Sequence, residues 1–174
     1  EITTRLVGSE MCIRDSGYTM PLPEKDEMYL TKGKMLQDIV VCLGGRIAES
    51  LVFDDVTTGA VQDIRQATER ARDMVTKYGF SDELGMINYS TSDDEVFIGR
   101  EIGHAKNFSE GTAAVIDQEV KRIIESCREK ATKILKENRK VLDKLAELLI
   151  EKERIGQQEF EALFEQNDET IEEM

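Results

Sequence analysis

Thr57-Thr58-Gly59-Ala60-Val61-Gln62-Asp63-Ile64 reads as a loop feeding a helix, with Thr57 or Thr58 as the N-cap. The apolar positions that follow, Ile64, Ala67, Ala71, Met74, Val75 and Tyr78, recur at helical spacing, and Gly79 supplies the stop. Asp63 falls on the same line, because Ala60, Asp63, Ala67, Ala71, Met74 and Tyr78 step by three or four. A carboxylate aimed at a core needs a cation, a hydrogen-bond network or a metal, since burying it alone is costly. The competing reading is a first-turn acid that complements the helix dipole.

The helical period continues on both sides. Upstream, Thr31 caps a stripe of Met35, Leu36, Ile39, Val40, Leu43, Ile47 and Leu51, interrupted by Gly44-Gly45. Two glycines inside a helix cost about 1 kcal/mol each relative to alanine, which predicts a second backbone packed closely there. Downstream, Gly85–Tyr89 and Glu95–Gly99 read as short extended pieces. Ser109 caps a long helix carrying Ala113, Ile116, Val120, Ile123, Ile124, Cys127, Ala131, Ile134 and Leu135. Asn138 breaks it, Val141, Leu142, Leu145, Leu148 and Leu149 mark another helix, and Gln157–Phe164 a short last one after Gly156. The acidic tail beyond is expected to fray. Gly17–Pro23 reads as a short strand ended by prolines. The fold class is therefore mainly α, with a short strand or hairpin remnant near the N-terminus.

Composition bounds the function. The chain has 174 residues and a net charge of −13, which argues against a nucleic-acid surface and against electrostatic binding to anionic lipid. Three cysteines, Cys12, Cys42 and Cys127, lack metal spacing and fit a reducing compartment, Cys42 and Cys127 as buried or half-buried thiols. No apolar run reaches the length of a membrane span. His104 is the single histidine, so no pair of histidines can bind a metal and no His-Glu-x-x-His motif exists. No glycine loop is built to cradle phosphate.

The N-terminal stretch differs from the rest. Leu6–Ser16 resembles the in-frame translation of a sequencing-library adaptor, so residues 1–16 are read as a non-native or disordered segment and kept out of fold reasoning. Residues 17–165 form the domain, and 166–174 an acidic tail.

Gly44-Gly45-Arg46-Ile47-Ala48-Glu49, the Thr57–Ile64 run, Ala67-Thr68, Ala71-Arg72, Met74-Val75-Thr76 and Tyr78-Gly79-Phe80-Ser81 occur in one order. With Gly17-Tyr18-Thr19, Glu95–Arg100 and Ile116–Val120, they resemble the peptidase domain of the FtsH family, membrane-anchored ATP-dependent zinc metallopeptidases. The resemblance runs from about Gly17 to about Phe164. It implies a zinc held by two histidines of a His-Glu-x-x-His helix and a later aspartate, whose place Asp63 takes. Zinc accepts carboxylate oxygen and imidazole nitrogen at about 2.0–2.2 Å, and a catalytic site keeps one position open for water. The implied chemistry is hydrolysis of a peptide bond by metal-activated water, with the motif glutamate as base. Glu49 matches the first acid after the Gly-Gly-Arg motif and is implied to orient a ligand from behind. The alternative for Glu49 is a helix-surface acid paired with Arg46.

The family's histidines and general base lie upstream of the strand that begins at Gly17, where this chain has residues 1–16. The resemblance thus implies a piece of a longer enzyme, lacking the His-Glu-x-x-His helix, the ATP-binding module and the membrane anchor, and itself inactive. The parent would be a homo-hexamer on the cytoplasmic side of the inner membrane, degrading membrane and cytosolic proteins. The rival expectation is a non-catalytic helical module for interaction or oligomerisation, built on Ser109–Glu151, in which Asp63 is structural.

Overall fold

The first helix, α1 (Lys32–Val52), opens at Thr31, whose hydroxyl accepts the Lys34 N–H at 3.1 Å. This is the expected cap, satisfying one of the donors a helix start leaves free. The computed structural model describes residues 29–53, 55–90 and 108–172, and the strand expected at Gly17–Pro23, the piece at Glu95–Gly99, His104 and Cys12 lie outside them. Met35, Ile39, Leu43 and Ile47 of α1 are buried, one from each turn. Gly44 and Gly45 do not mark a close backbone approach: among the described residues, a Cβ at either would meet nothing within 4 Å. The pair faces outward between the buried positions Leu43 and Ile47.

The second helix, α2 (Val61–Thr76), begins later than its threonines suggest. Its N-cap is Ala60, with no side-chain cap, so neither Thr57 nor Thr58 has that role. The Thr57 hydroxyl instead accepts the Gly59 N–H at 3.2 Å, and the Thr58 carbonyl accepts the Val61 N–H at 3.2 Å. Both threonines are used inside the turn, one residue or more before the helix. Helices α1 and α2 pack together, and Ala67, Ala71, Met74 and Val75 are wholly buried. Small side chains let the axes approach, and each large one buried contributes about 1.5–3 kcal/mol.

Gly79 closes α2 in the left-handed region at φ +61, where a Cβ would lie 3.0 Å from the Met86 Cα. The Phe80 N–H returns to the Met74 carbonyl at 2.8 Å. The segment Gly85–Tyr89 is irregular and not a strand. Its bonds are to the Ser81 carbonyl from Gly85 and to the Thr76 carbonyl from Tyr89, so it is held to the end of α2 and the turn after it. Among the described residues there are helices and no strand.

The third helix, α3 (Glu110–Glu137), is capped by Ser109, whose Oγ accepts the Thr112 N–H at 3.2 Å. It buries Ile116, Val120, Ile123, Cys127 and Ala131. The Cys127 thiol reaches the Leu36 carbonyl of α1 at 3.7 Å. The chain divides into two compact units, one being Met28–Lys133. In the other, Asn138 breaks the helix as expected, its amide bonded to the Ile134 carbonyl. Then follow α4 (Arg139–Lys152) and α5 (Gln157–Glu172). Glu153, at φ 62, turns the chain between them, and Lys152 bonds Glu159 at 2.6 Å. The last helix continues past Phe164 to Glu172, beyond its expected end. Among the described residues no helix is long and apolar enough to cross a membrane.

Candidate functional site

Asp63 stands in the first turn of α2, and it is exposed. The expectation of a carboxylate aimed into the core is corrected. On its line Ala60, Ala67, Ala71 and Met74 are buried, while Asp63 and Tyr78 reach water. Hydration spares the carboxylate the desolvation cost, and the helix N-terminus favours its charge. Among the described residues, the Asp63 carboxylate makes no hydrogen bond or ion pair.

The ground around it is polar and shared by two helices. Arg70 of α2 reaches Asp38 of α1 at 3.6 Å and the Cys42 sulfur at 3.7 Å. Cys42 also approaches the Gln66 amide oxygen at 4.0 Å. Partial burial pushes the Cys42 thiol above its ordinary range, Arg70 draws it back, and the charges of Asp63 and Asp38 raise it again. Cys42 is half-buried and Cys127 buried, as expected of ordinary thiols.

Glu49 holds the loop that leads to the metal candidate. Its Oε1 accepts the Thr57 N–H at 3.0 Å, and its Oε2 accepts Arg46 Nη1 at 3.2 Å. Hydrogen bonding from Thr57, side chain before backbone, holds this carboxyl below the usual range against some desolvation, and the Arg46 charge adds to the effect. The pairing with Arg46 and a hold on the loop therefore coexist.

A second cluster went unassigned in the sequence. Glu119 of α3, buried among apolar neighbours, accepts the Ser81 hydroxyl at 2.7 Å and two Arg122 N–H groups at 2.7 and 2.8 Å. Ser81 in turn accepts the Leu84 N–H at 3.2 Å. Arg122, then the Ser81 bond, lower the Glu119 carboxyl to about 2 against the opposing effect of burial. The signal was present: Glu119 lies between the stripe positions Ile116 and Val120, and Arg122 follows at i+3. The cluster ties the turn after α2 to α3, which makes it a structural clamp.

Zinc fits Asp63 in donor type, an accessible carboxylate oxygen. Among the described residues, no group of three His, Cys, Asp or Glu side chains is placed to hold a metal. The described residues by themselves do not form a zinc site.

The described residues are mainly helical, with an acid presented from the first turn of α2. The model of Peptidase family M41 matches residues 13–163, and the chain belongs to that family. It is 51% identical over 155 residues to the ATP-dependent zinc metalloprotease FtsH 1 of Thermoanaerobacter sp. strain X514, a match covering 89% of this chain and 25% of that protein. It is 52% identical over 147 residues to FtsH of Caldicellulosiruptor bescii, covering 84% and 24%. It is 43% identical over 155 residues to FtsH of Thermotoga maritima, covering 89% and 25%. The chain thus spans about a quarter of the length of the curated relatives it matches.

Proposed function

We propose that this chain is part of the proteolytic domain of an ATP-dependent zinc metalloprotease, and that Asp63 is one of three protein ligands to its zinc. The observation that carries the assignment is the exposed Asp63 carboxylate, without an ion-pair partner among the described residues, inside the M41 match. The other two ligands would be histidines outside this chain, since His104 is its only one. Zinc, when bound, acidifies a water and polarises the scissile carbonyl. What this chain contributes is an anionic oxygen held at a helix start, with α1 and α2 fixing its base. The whole enzyme would take protein substrates, assemble as a homo-hexamer, and be anchored in the inner membrane with this domain on the cytoplasmic side.

The test is Asp63→Asn in a full-length protease carrying this segment. Asparagine keeps the shape and removes the charge. Zinc content and proteolysis are expected to be lost while the far-ultraviolet circular dichroism and ATP hydrolysis persist. Retained zinc and retained cleavage would overturn the assignment and leave the rival reading, a helical interaction module in which Asp63 is structural.

A further inference from the structure

Asp63 stands on the uncovered end of its helix. From Val61 to Gln66 every residue of α2 is exposed, and burial resumes at Ala67. The packing of α2 therefore comes from its rear part, through Ala67, Ala71, Met74 and Val75. Alanines let helices approach but form low ridges, so directional bonds are needed to fix the tilt. Arg70 reaches Asp38 of α1 at 3.6 Å and Arg72 reaches Asp117 of α3 at 3.4 Å, but these pairs have access to water and contribute little. The bond from Ser81 to Glu119 of α3 is of another kind: 2.7 Å long, between two buried residues, with the carboxylate held in turn by two Arg122 N–H groups. A charge-assisted bond sheltered from water is the stronger anchor. Ser81 is also coupled tightly to α2. The Phe80 N–H returns to the Met74 carbonyl and the Tyr78 N–H to the Asp73 carbonyl, while the Ser81 hydroxyl accepts the Leu84 N–H.

We infer that Glu119 is a positioning residue: by gripping Ser81 it fixes the tilt of α2, and so the reach of Asp63, from the opposite end of the helix. This rests on Asp63 being a metal ligand. The helix acts as a lever. Asp63 lies about 12 Å along the axis from Ala71, at 1.5 Å per residue, so a tilt of about 5° about Ala71 moves it by about 1 Å. Metal–ligand distances hold to about 0.2 Å, so a displacement of that size is felt at the metal.

Two measurements separate this inference from the assignment of Asp63. The first uses the chain as given and needs no metal: residual dipolar couplings of the backbone N–H groups, which report the direction of each helix axis. In Ser81→Ala, α2 is expected to turn by about 5° or more against α1 and α3. In Glu119→Gln, whose amide oxygen still accepts the Ser81 hydroxyl, α2 is expected to keep its direction. Ser81→Cys, close in volume and a weak donor, gives the same reading if the alanine variant does not fold. An unmoved α2 in the Ser81 variants would overturn the inference whatever Asp63 does. The second uses the full-length protease carrying this segment and reads zinc retention against a chelator. Ser81→Ala is expected to weaken it about tenfold, with Glu119→Gln closer to the parent. Ile123→Val trims a buried apolar position of α3 and keeps every group of the clamp. It should lower stability and leave zinc retention unchanged. An equal loss of zinc in Ile123→Val would assign the effect to stability and overturn the inference. If Asp63→Asn loses zinc while Ser81→Ala retains it fully, Asp63 stands and the positioning role falls. If Asp63→Asn retains zinc, the ligand assignment falls and the role of Glu119 toward the metal falls with it.

Discussion

At the scale of single residues, two acids on buried or half-buried ground do the same kind of work. Glu49 holds a loop, and Glu119 holds a turn against a helix. Glu119 gives the clearest pH signature. Its folded carboxyl is lowered to about 2 from a reference of 4.5, by Arg122 first and Ser81 after it. A depressed acid contributes stability that is fully present above its unfolded pKa and is lost as the pH falls through the folded one. The isosteric Glu119→Gln keeps an acceptor for Ser81 but loses the charge facing Arg122. The urea midpoint of this variant is therefore expected to lie below that of the parent at neutral pH. The gap should narrow below about pH 4.5 and close near pH 2. A gap constant from neutrality to acid would show that shape, and not charge, makes the difference. Asp63 teaches the converse. Its place on a helical line was legible, but its exposure was not, because periodicity gives the direction of a side chain and not the point where packing ends.

At the scale of elements, what was legible is what is local. Thr31 and Ser109 cap their helices because a hydroxyl needs only the N–H three residues ahead. Asn138 breaks α3 by bonding back to Ile134. The Thr57–Thr58 start failed because those groups had nearer partners and a distant one, Glu49, eight residues back. Gly85–Tyr89 has extended-strand composition but, among the described residues, no strand to pair with. The two kinds of glycine make a paired prediction. Gly44 or Gly45, helical and with open space at Cβ, should accept alanine with a gain of about 0.5–1 kcal/mol. Gly79, at φ +61 and 3.0 Å from the Met86 backbone, should lose about 1–2 kcal/mol or more on the same change. Thermal unfolding separates them, with midpoints moving in opposite directions by about 2–4 °C per kcal/mol for a chain of this size. A fall for Gly44→Ala in this chain would mean that a backbone does pack there.

At the scale of the whole molecule, the argument turns on the number of ligands a single chain can supply. A catalytic zinc is held by three protein side chains, with one position left to water. The proposed arrangement asks two of those to be histidine, and this chain has one, His104, outside the motif in which two would stand four residues apart. A count of 36 acidic residues does not make up the deficit, for carboxylates that are not gathered round one point hold zinc weakly and without an open, oriented water. Affinity in such sites is built from several preorganised donors at once, so one well-placed donor retains little of it. The purified chain is accordingly expected to carry well under one zinc per molecule after dialysis, and to leave casein uncut with or without added zinc. Atomic absorption and a fluorescent casein assay check both statements. One tightly held zinc per chain, with cleavage abolished by chelator, would require ligands that Asp63 and His104 cannot provide alone, and would relocate the metal centre. Joining this segment to a helix that bears the His-Glu-x-x-His motif, in a full-length protease, should give both properties together, because the two histidines and the base belong to the same motif. Recovery of zinc without recovery of cleavage would instead place the deficit in the base.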